Sequence, residues 1–254
     1  MRSLIVQPDA VQGDRIHITD KDDIAYLSVV LRMNEGDELV VSDGEGRVYG
    51  TIIGRISKGM IELSVVEEKQ VSDEGRTRVT LYQGLPKGAK MEEIVRKATE
   101  LGVYRVVPVA TARAIPGQND VSASRRERWQ RIAKEASRQS RRIRVPAVDR
   151  VFGFEEAAAG LAEEQYDLIL VLYELEETET LKQALRERGV GPAKEKGKPA
   201  EIAVFIGPEG GFESFEVERL ALEGGRSVTI GETILRTETA GPAAIAMILY
   251  ELDM

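Results

Sequence analysis

Apolar residues in the first part of the chain recur at short range, in Val- and Ile-rich runs broken by Gly-Asp, Asp-Gly and Lys-Gly pairs. Arg15–Thr19, Glu38–Ser42, Val48–Arg55 and Met60–Val66 are predicted strands, because β-branched runs bounded by turn dipeptides favour extended backbone. Ile24, Leu27 and Leu31 fall on one face of a helix over Asp22–Leu31. Several short strands with a single helix predict a small β-barrel over 1–72. The polar stretch Glu67–Thr77 is predicted to be a linker.

From Val79 the rhythm changes. Val79–Gln83 is strand-like, and Met91, Ile94, Val95, Ala98 and Leu101 then trace a helical stripe that Gly102 ends. Arg105–Val109, Asp167–Tyr173, Ile202–Ile206 and Ser227–Ile230 are further strands, the third of the five apolar enough for burial on both faces. Pro242–Leu252 is a last, largely apolar helix. Strands alternating with helices predict an α/β domain over 73–254, with a mostly parallel sheet covered on both faces. Arg188–Pro199 has no periodicity and is predicted to be a loop. No internal repeat is present.

Charge sharpens the picture. The net charge of −8 is unevenly spread: nine basic residues between Ser122 and Arg144 face only Glu127 and Glu135, a local +7 that leaves −15 on the remainder. A concentrated basic helix on an acidic body suits a localised polyanion site, although a solvated helix face paired to nearby acids has the same composition. Cysteine is absent, which excludes disulfides, thiolate metal sites and a cysteine nucleophile. No apolar run approaches the roughly 20 residues that span a bilayer, and MRSLIVQPDA lacks the apolar core of a signal peptide. A cytoplasmic protein is the expectation.

Parallel sheets bind ligands at the C-terminal ends of their strands. Three segments lie there: Leu172–Leu175, Ile206–Phe212 (IGPEGGF) and Ile230–Ala240 (IGETILRTETA). Gly207, Gly210 and Gly211 follow a buried strand and would let main-chain N–H groups approach a ligand, with a helix starting near Glu213 adding its dipole. A tight strand-to-helix turn would carry the same glycines. Phosphate loops, dinucleotide fingerprints and nucleophile elbows are missing, as are clustered metal ligands. The single histidine, His17, falls in the predicted barrel, where a structural role is expected. The residues therefore favour a ligand bound without a metal and without a phosphate-cradling loop.

Gly84–Arg113 (GLPKGAKMEEIVRKATELGVYRVVPVATAR), Arg128–Pro146 (RWQRIAKEASRQSRRIRVP), IGPEGGF and Ile234–Ala244 (ILRTETAGPAA) together resemble the RsmE family of 16S ribosomal RNA (uracil-N3)-methyltransferases, in the SPOUT superfamily. Val30–Gly46 (VLRMNEGDELVVSDGEG) is similar to that family's N-terminal PUA-like barrel, so the resemblance covers nearly the whole chain. Tyr26 stands where the family often carries a histidine. The resemblance implies a trefoil-knotted C-terminal domain, S-adenosyl-L-methionine held by three knot loops, 16S ribosomal RNA or the small subunit as substrate, and a homodimer packed through the last helix.

On that footing, Tyr173, Glu174, Ile206, Gly207, Gly210, Ile230, Gly231, Leu235, Thr237 and Ala240 are the expected cofactor contacts. Arg236 would stabilise the uracil anion or grip a phosphate. Glu238 would accept the N3 proton or cap the last helix, with Glu209 a weaker candidate for the proton. Arg131, Arg138, Arg141 and Arg142 would meet RNA phosphates. No metal is expected. Ribose 2′-O-methylation, or RNA binding without catalysis in ribosome assembly, are the competing functions.

Overall fold

The computed structural model describes residues 2–71, 77–114, 123–187 and 199–253. It divides into two compact units, Met1–Asp73 with Ser137–Val145, and Glu74–Ala136 with Pro146–Met254. A boundary placed by chain position near residue 72 thus misses one return: Ser137–Val145, the end of the basic segment, belongs with the first unit.

The first unit is a barrel-like six-stranded sheet. Its strands are β1 (Ser3–Ile5), β2 (Val11–Gln12), β3 (Arg15–Ile18), β4 (Glu38–Ser42), β5 (Arg47–Ser57) and β6 (Met60–Gln70). They lie in the order β1-β4-β5-β6-β3-β2. Alternate residues point inward, so Ile16, Ile18, Leu39, Val41, Ile53, Ile61 and Leu63 close one core with Leu27 and Tyr49. The expected helix begins at α1 (Lys21–Ala25), where the Asp20 side chain caps the Asp23 N–H at 2.9 Å. Its continuation, Tyr26–Val30, widens to a π-helical turn. Glu67–Gln70, expected in a linker, instead extends β6, because Arg47–Gly50 of β5 pairs with it residue for residue. His17 lies 3.6 Å from Glu62 across the β3–β6 pair, within the barrel wall.

The second unit holds a seven-stranded parallel sheet. β7 (Arg78–Gly84), β8 (Arg105–Ala110), β10 (Phe152–Gly153), β11 (Leu168–Leu172), β12 (Glu201–Ile206) and β13 (Gly225–Val228) follow the order β10-β8-β7-β12-β11-β13, with β9 (Ala147–Val148) beside β8. One face packs α4 (Phe154–Glu164) and α6 (Ser214–Leu222) on Tyr82, Ile169, Val171 and Phe205. Tyr82 stacks on Phe205 at 4.3 Å. The opposite face carries α7 (Thr237–Asp253), where Gly241 lets the helix settle on Leu81. The end of α2 (Lys90–Leu101) abuts α7, with Gly102 (φ +110°) next to Leu249. In α3 (Ala123–Gln139), Trp129 and Ala133 are buried, and Gln130 bonds both Pro146 O and Val148 N–H.

Two boundaries matter for the site. The last helix starts at Thr237, five residues before the sequence pattern places it, with Pro242 inside. The Arg236 carbonyl accepts from Thr239 and Ala240 at 2.8 Å, which closes the first turn before proline interrupts the ladder. β13 ends at Val228, and beyond it only Thr229 forms a parallel bridge, to Thr180. Chain from Ile230 is thereby released to turn over the strand ends. Of the predicted loop Arg188–Pro199, all but its final residue lies outside the described residues, as does 72–76 of the predicted linker.

Candidate active site

β7, β11, β12 and β13 run parallel, so their C-terminal ends open on the same edge of the sheet. A cleft of about 960 Å³ lies there, lined by Leu172–Glu174, Ile206–Gly211 and Val228–Glu238, with Lys90 and Ala240. The structure brings all ten residues singled out as cofactor contacts into this one lining, together with Arg236, Glu238 and Glu209.

Close approach of backbone explains the glycines. A Cβ on Gly207 would sit 2.9 Å from the backbone of Gly211, and one on Gly84 would sit 2.7 Å from Pro208. Gly211 (φ +69°) lies against the Glu174 carboxylate, which a side chain there would strike. The loop leads into α6 through a capping box, with Glu213 N–H donating to Glu216 at 2.9 Å. Arg113, just after β8, braces the same loop: it donates to the Gly210 carbonyl, bonds Glu213 at 2.9 Å and lies 4.0 Å from Glu174.

A buried relay joins three elements. Gln83, fully buried at the end of β7, donates to Thr237 Oγ1 at 2.9 Å, and the Thr237 hydroxyl donates to the Gly207 carbonyl at 2.7 Å. The first turn of α7 is thus fixed to the glycine loop, and the positive end of a 17-residue helix faces the cleft. Lys90 adds a second tie, 3.0 Å from Glu209 and 3.4 Å from Glu238. The bond to Glu209 raises Lys90 above the usual lysine range although burial opposes it. Burial pushes Glu209 up, but its own backbone N–H, Lys90 and the Lys87 N–H outweigh it and hold the carboxylate below its usual range.

Gln83, Lys90 and Arg113 were not among the sequence candidates. A signal existed for Gln83, a polar residue closing the otherwise apolar strand VTLYQG, and for Lys90, placed where a helix leaves a parallel strand. Arg236 is exposed at the cleft, and among the described residues no carboxylate pairs with it.

The basic residues separate into different settings. Arg131 and Arg141 are exposed, and Arg142 is half-buried. Arg138 is largely buried: it pairs with Asp23, itself 3% exposed, and lies 5.2 Å from the Tyr26 ring. Burial lowers its affinity for a proton, against the pull of Asp20 and Asp22. Arg138 therefore serves the first unit's interior, which corrects its assignment as a phosphate contact. Arg125, Arg126 and Arg128 bond Gly88 O, Val148 O and Glu92 respectively.

Residues 73–249 match the model of an RNA methyltransferase domain, and 18–66 match that of an RNA methyltransferase PUA domain. A structure of ribosomal RNA small subunit methyltransferase E from Neisseria gonorrhoeae, bound to S-adenosyl methionine, superposes with a TM-score of 0.81 at 28% identity, covering 99% of this chain and 98% of that one. The protein called ribosomal RNA small subunit methyltransferase E in Bacillus subtilis is 34% identical over 246 residues, spanning 96% of this chain and 91% of its own. Its namesake in Synechocystis is likewise 34% identical, over 96% of this chain and 76% of the relative. Parallel sheet, glycine-rich cleft and PUA-like barrel together define an RNA methyltransferase of the SPOUT type. Within that class, the chain belongs to the ribosomal RNA small subunit methyltransferase E family.

The cleft fits a sulfonium-bearing cofactor on its own chemistry. Among the described residues six carboxylates line it (Glu174, Glu176, Glu177, Glu209, Glu232 and Glu238) against two cations, Lys90 and Arg236. That excess of negative charge suits a cationic ligand and opposes a polyphosphate. Apolar walls come from Leu172, Ile206, Val228, Ile230 and Leu235. Apart from the Lys90 ammonium at 3.4 Å, the buried Oε2 of Glu238 meets no donor among the described residues and can accept one from a ligand. Among the described residues no cluster of three or more metal-ligating side chains occurs, and no helix is long and apolar enough to cross a membrane.

Proposed function

We propose that this protein methylates N3 of a specific uridine in 16S ribosomal RNA, using S-adenosyl-L-methionine. The observation that carries the reading is the convergence of three backbone-rich loops on one acidic cleft with Arg236 and Glu238 at its edge. When bound, the cofactor supplies an activated methyl group. Tyr173, Glu174, Ile206, Gly207, Gly210, Ile230, Gly231, Leu235, Thr237 and Ala240 would hold it, most of them through backbone atoms, with Ile206 and Leu235 supplying apolar wall.

The chain's own chemistry concerns the proton. Uracil N3 carries an imide proton and is a poor nucleophile until that proton leaves. Glu238 accepts it, and Arg236 stabilises the anion that spreads over O2 and O4. Fixing the reactants in line supplies much of the remaining acceleration, and the relay from Gln83 through Thr237 to Gly207 is what holds the first turn of α7 and the glycine loop in place.

The same reading places Arg131, Arg141 and Arg142 at RNA phosphates, a trefoil knot in the C-terminal threading, and the protein in the cytoplasm where ribosomal RNA matures. It also implies a homodimer through α7. Ala244, Ile245, Ile248 and Leu252 of that helix are buried in its own unit, whereas Met247 and Tyr250 are 44% and 67% exposed. The outward side, Met247 and Tyr250, is the part available to a second copy. Neither ribose methylation nor a purely structural role in ribosome assembly is favoured by the family.

Incubating unmethylated small subunits or 16S ribosomal RNA with the protein and labelled cofactor, then identifying the product nucleoside by mass spectrometry, tests the function. A 3-methyluridine product is expected. A 2′-O-methyl nucleoside or no transfer would overturn the reading.

A further inference from the structure

Lys90 stands apart from the three cofactor loops, on the first turn of α2, yet its ammonium reaches two carboxylates of the cleft. Glu209 Oε1 is 3.0 Å away and Glu238 Oε2 is 3.4 Å away. The Glu238 side chain is only 12% exposed, and apart from Lys90 that same Oε2 meets no donor among the described residues. Two carboxylates sharing a site repel unless a cation intervenes, and the usual result is that one of them keeps a proton. The base role of Glu238 requires an oxygen open to a proton, and the Lys90 ammonium is the cation that stands between the two carboxylates.

We propose that Lys90 is the residue that screens Glu238 from Glu209 and positions it as the proton acceptor, and that its ammonium then compensates the uracil anion formed beside it. The inference rests on the uridine-N3 reading above. Before transfer, Lys90 carries +1, Glu209 and Glu238 carry −1 each, and the base is neutral. The N3–H bond breaks, the proton goes to Glu238 Oε2, and the electron pair stays on the ring. Glu238 is then neutral, the uracil carries −1, and Lys90 and Glu209 are unchanged. The sum is the same on both sides, so negative charge only changes place around a fixed cation. Such a transfer needs little reorganisation of the surroundings, which is how preorganised electrostatics lower a barrier.

Each neighbour has a separate part. Glu209 is anchored independently by the Lys87 backbone N–H at 3.1 Å, so it holds Lys90 from the other side. Glu93, on the same helix, is engaged by Lys97 at 2.7 Å and does not compete strongly. Arg236 lines the same cleft from the loop before α7. Lys90 and Arg236 would thus approach the pyrimidine from α2 and from the α7 loop, one cation for the proton transfer and one for the developed anion.

The test uses the full-length protein with unmethylated small subunits, and compares Lys90→Gln and Lys90→Arg across a pH series. Lys90→Gln should lower kcat by about 100-fold, within the range of general-base contributions, and leave KM for cofactor and RNA within about twofold. The acidic limb of its kcat profile should move to higher pH, since Glu238 then shares the cleft with Glu209 unscreened. Lys90→Arg keeps the charge and should recover most of the loss. Glu209→Gln should move the acidic limb to lower pH, because Lys90 then serves Glu238 alone, and this readout stands even if Lys90→Gln folds poorly. Unmoved pH profiles in both Lys90→Gln and Glu209→Gln, or a loss confined to KM for RNA, would overturn the assignment. Failure of the parent reading shows separately, in the nucleoside that the unsubstituted protein makes.

Discussion

The Thr237 hydroxyl donates to the Gly207 carbonyl at 2.7 Å across thirty residues of sequence, while accepting the Gln83 amide at 2.9 Å. A single side chain thereby fixes the start of α7, the glycine loop and the end of β7. Thr237→Val keeps the shape and removes the hydroxyl, leaving a buried donor on Gln83 and a buried acceptor on Gly207 without their partner. Each such group costs about 1–3 kcal/mol. The melting temperature should fall and binding of S-adenosylhomocysteine, followed by calorimetry, should weaken, with Thr237→Ser restoring both. A valine variant that binds as tightly as the unsubstituted protein would show that the relay does not shape the cleft.

Gly207 has no room for a side chain on its loop side, because the backbone of Gly211 cannot retreat without moving Glu174. Gly207→Val should abolish cofactor binding while circular dichroism shows a folded protein. Gly153, at the start of α4, has nothing within 4 Å of an added Cβ, so Gly153→Ala serves as the neutral comparison. Normal cofactor affinity in Gly207→Val would remove the IGPEGGF loop from the site.

Arg138 and Asp23 form a buried pair, and removing the arginine takes a charge partner from a carboxylate inside the first unit. Arg138→Ala should destabilise the protein by about 3–5 kcal/mol, read in urea unfolding. The salt dependence of RNA binding should stay where it was. The double variant with Asp23→Ala should be less damaged than the sum of the singles. A flattened salt dependence with unchanged stability would return Arg138 to the RNA surface.

If α7 mediates a dimer, its exposed side must do so. Met247→Asp with Tyr250→Asp should yield folded monomers in sedimentation. Ile245→Asp should unfold the protein instead, since Ile245 is buried within its own unit and a carboxylate there would lack a partner. A dimer that survives the first pair of changes would place the interface elsewhere.

Local pattern carried much of the architecture. Val- and Ile-rich runs between turn dipeptides located β4, β5 and β6, and the helical stripe from Met91 to Leu101 located α2, because both signals are local in sequence. The three cleft segments followed from one rule about parallel strand ends. What escaped depended on contacts distant in sequence. β1 and β2 are two or three residues long and exist through pairing with β4 and β3. Glu67–Gln70 is polar on both sides and becomes strand only because β5 lies alongside. Arg138 sits in a run of arginines with nothing local to mark it, yet its partner is Asp23. The carboxylates that give Lys90 its part, Glu209 and Glu238, are likewise distant from it in the chain.

Arg131 and Arg141 are exposed and free to meet phosphates. Replacing both with Ala should weaken RNA binding, leave cofactor binding unchanged, and reduce the log–log salt slope by roughly 0.7 for each lost contact on single-stranded RNA. Arg236 is also exposed, but it lines the cleft at the N-terminus of α7. If it stabilises the uracil anion, its contribution exists chiefly in the transition state, so Arg236→Ala should lower kcat far more than RNA affinity. Arg236→Lys should recover only part, because an ammonium cannot present the planar pair of donors that a guanidinium offers to an anion spread over two oxygens. Salt distinguishes the two roles independently. A phosphate contact changes the slope, whereas an anion contact inside the cleft changes the rate at every salt concentration. Full turnover at saturating RNA in Arg236→Ala, with a reduced slope, would move Arg236 to the phosphate contacts. Among the described residues lining the cleft, Lys90 would then be the cation left to balance the uracil anion.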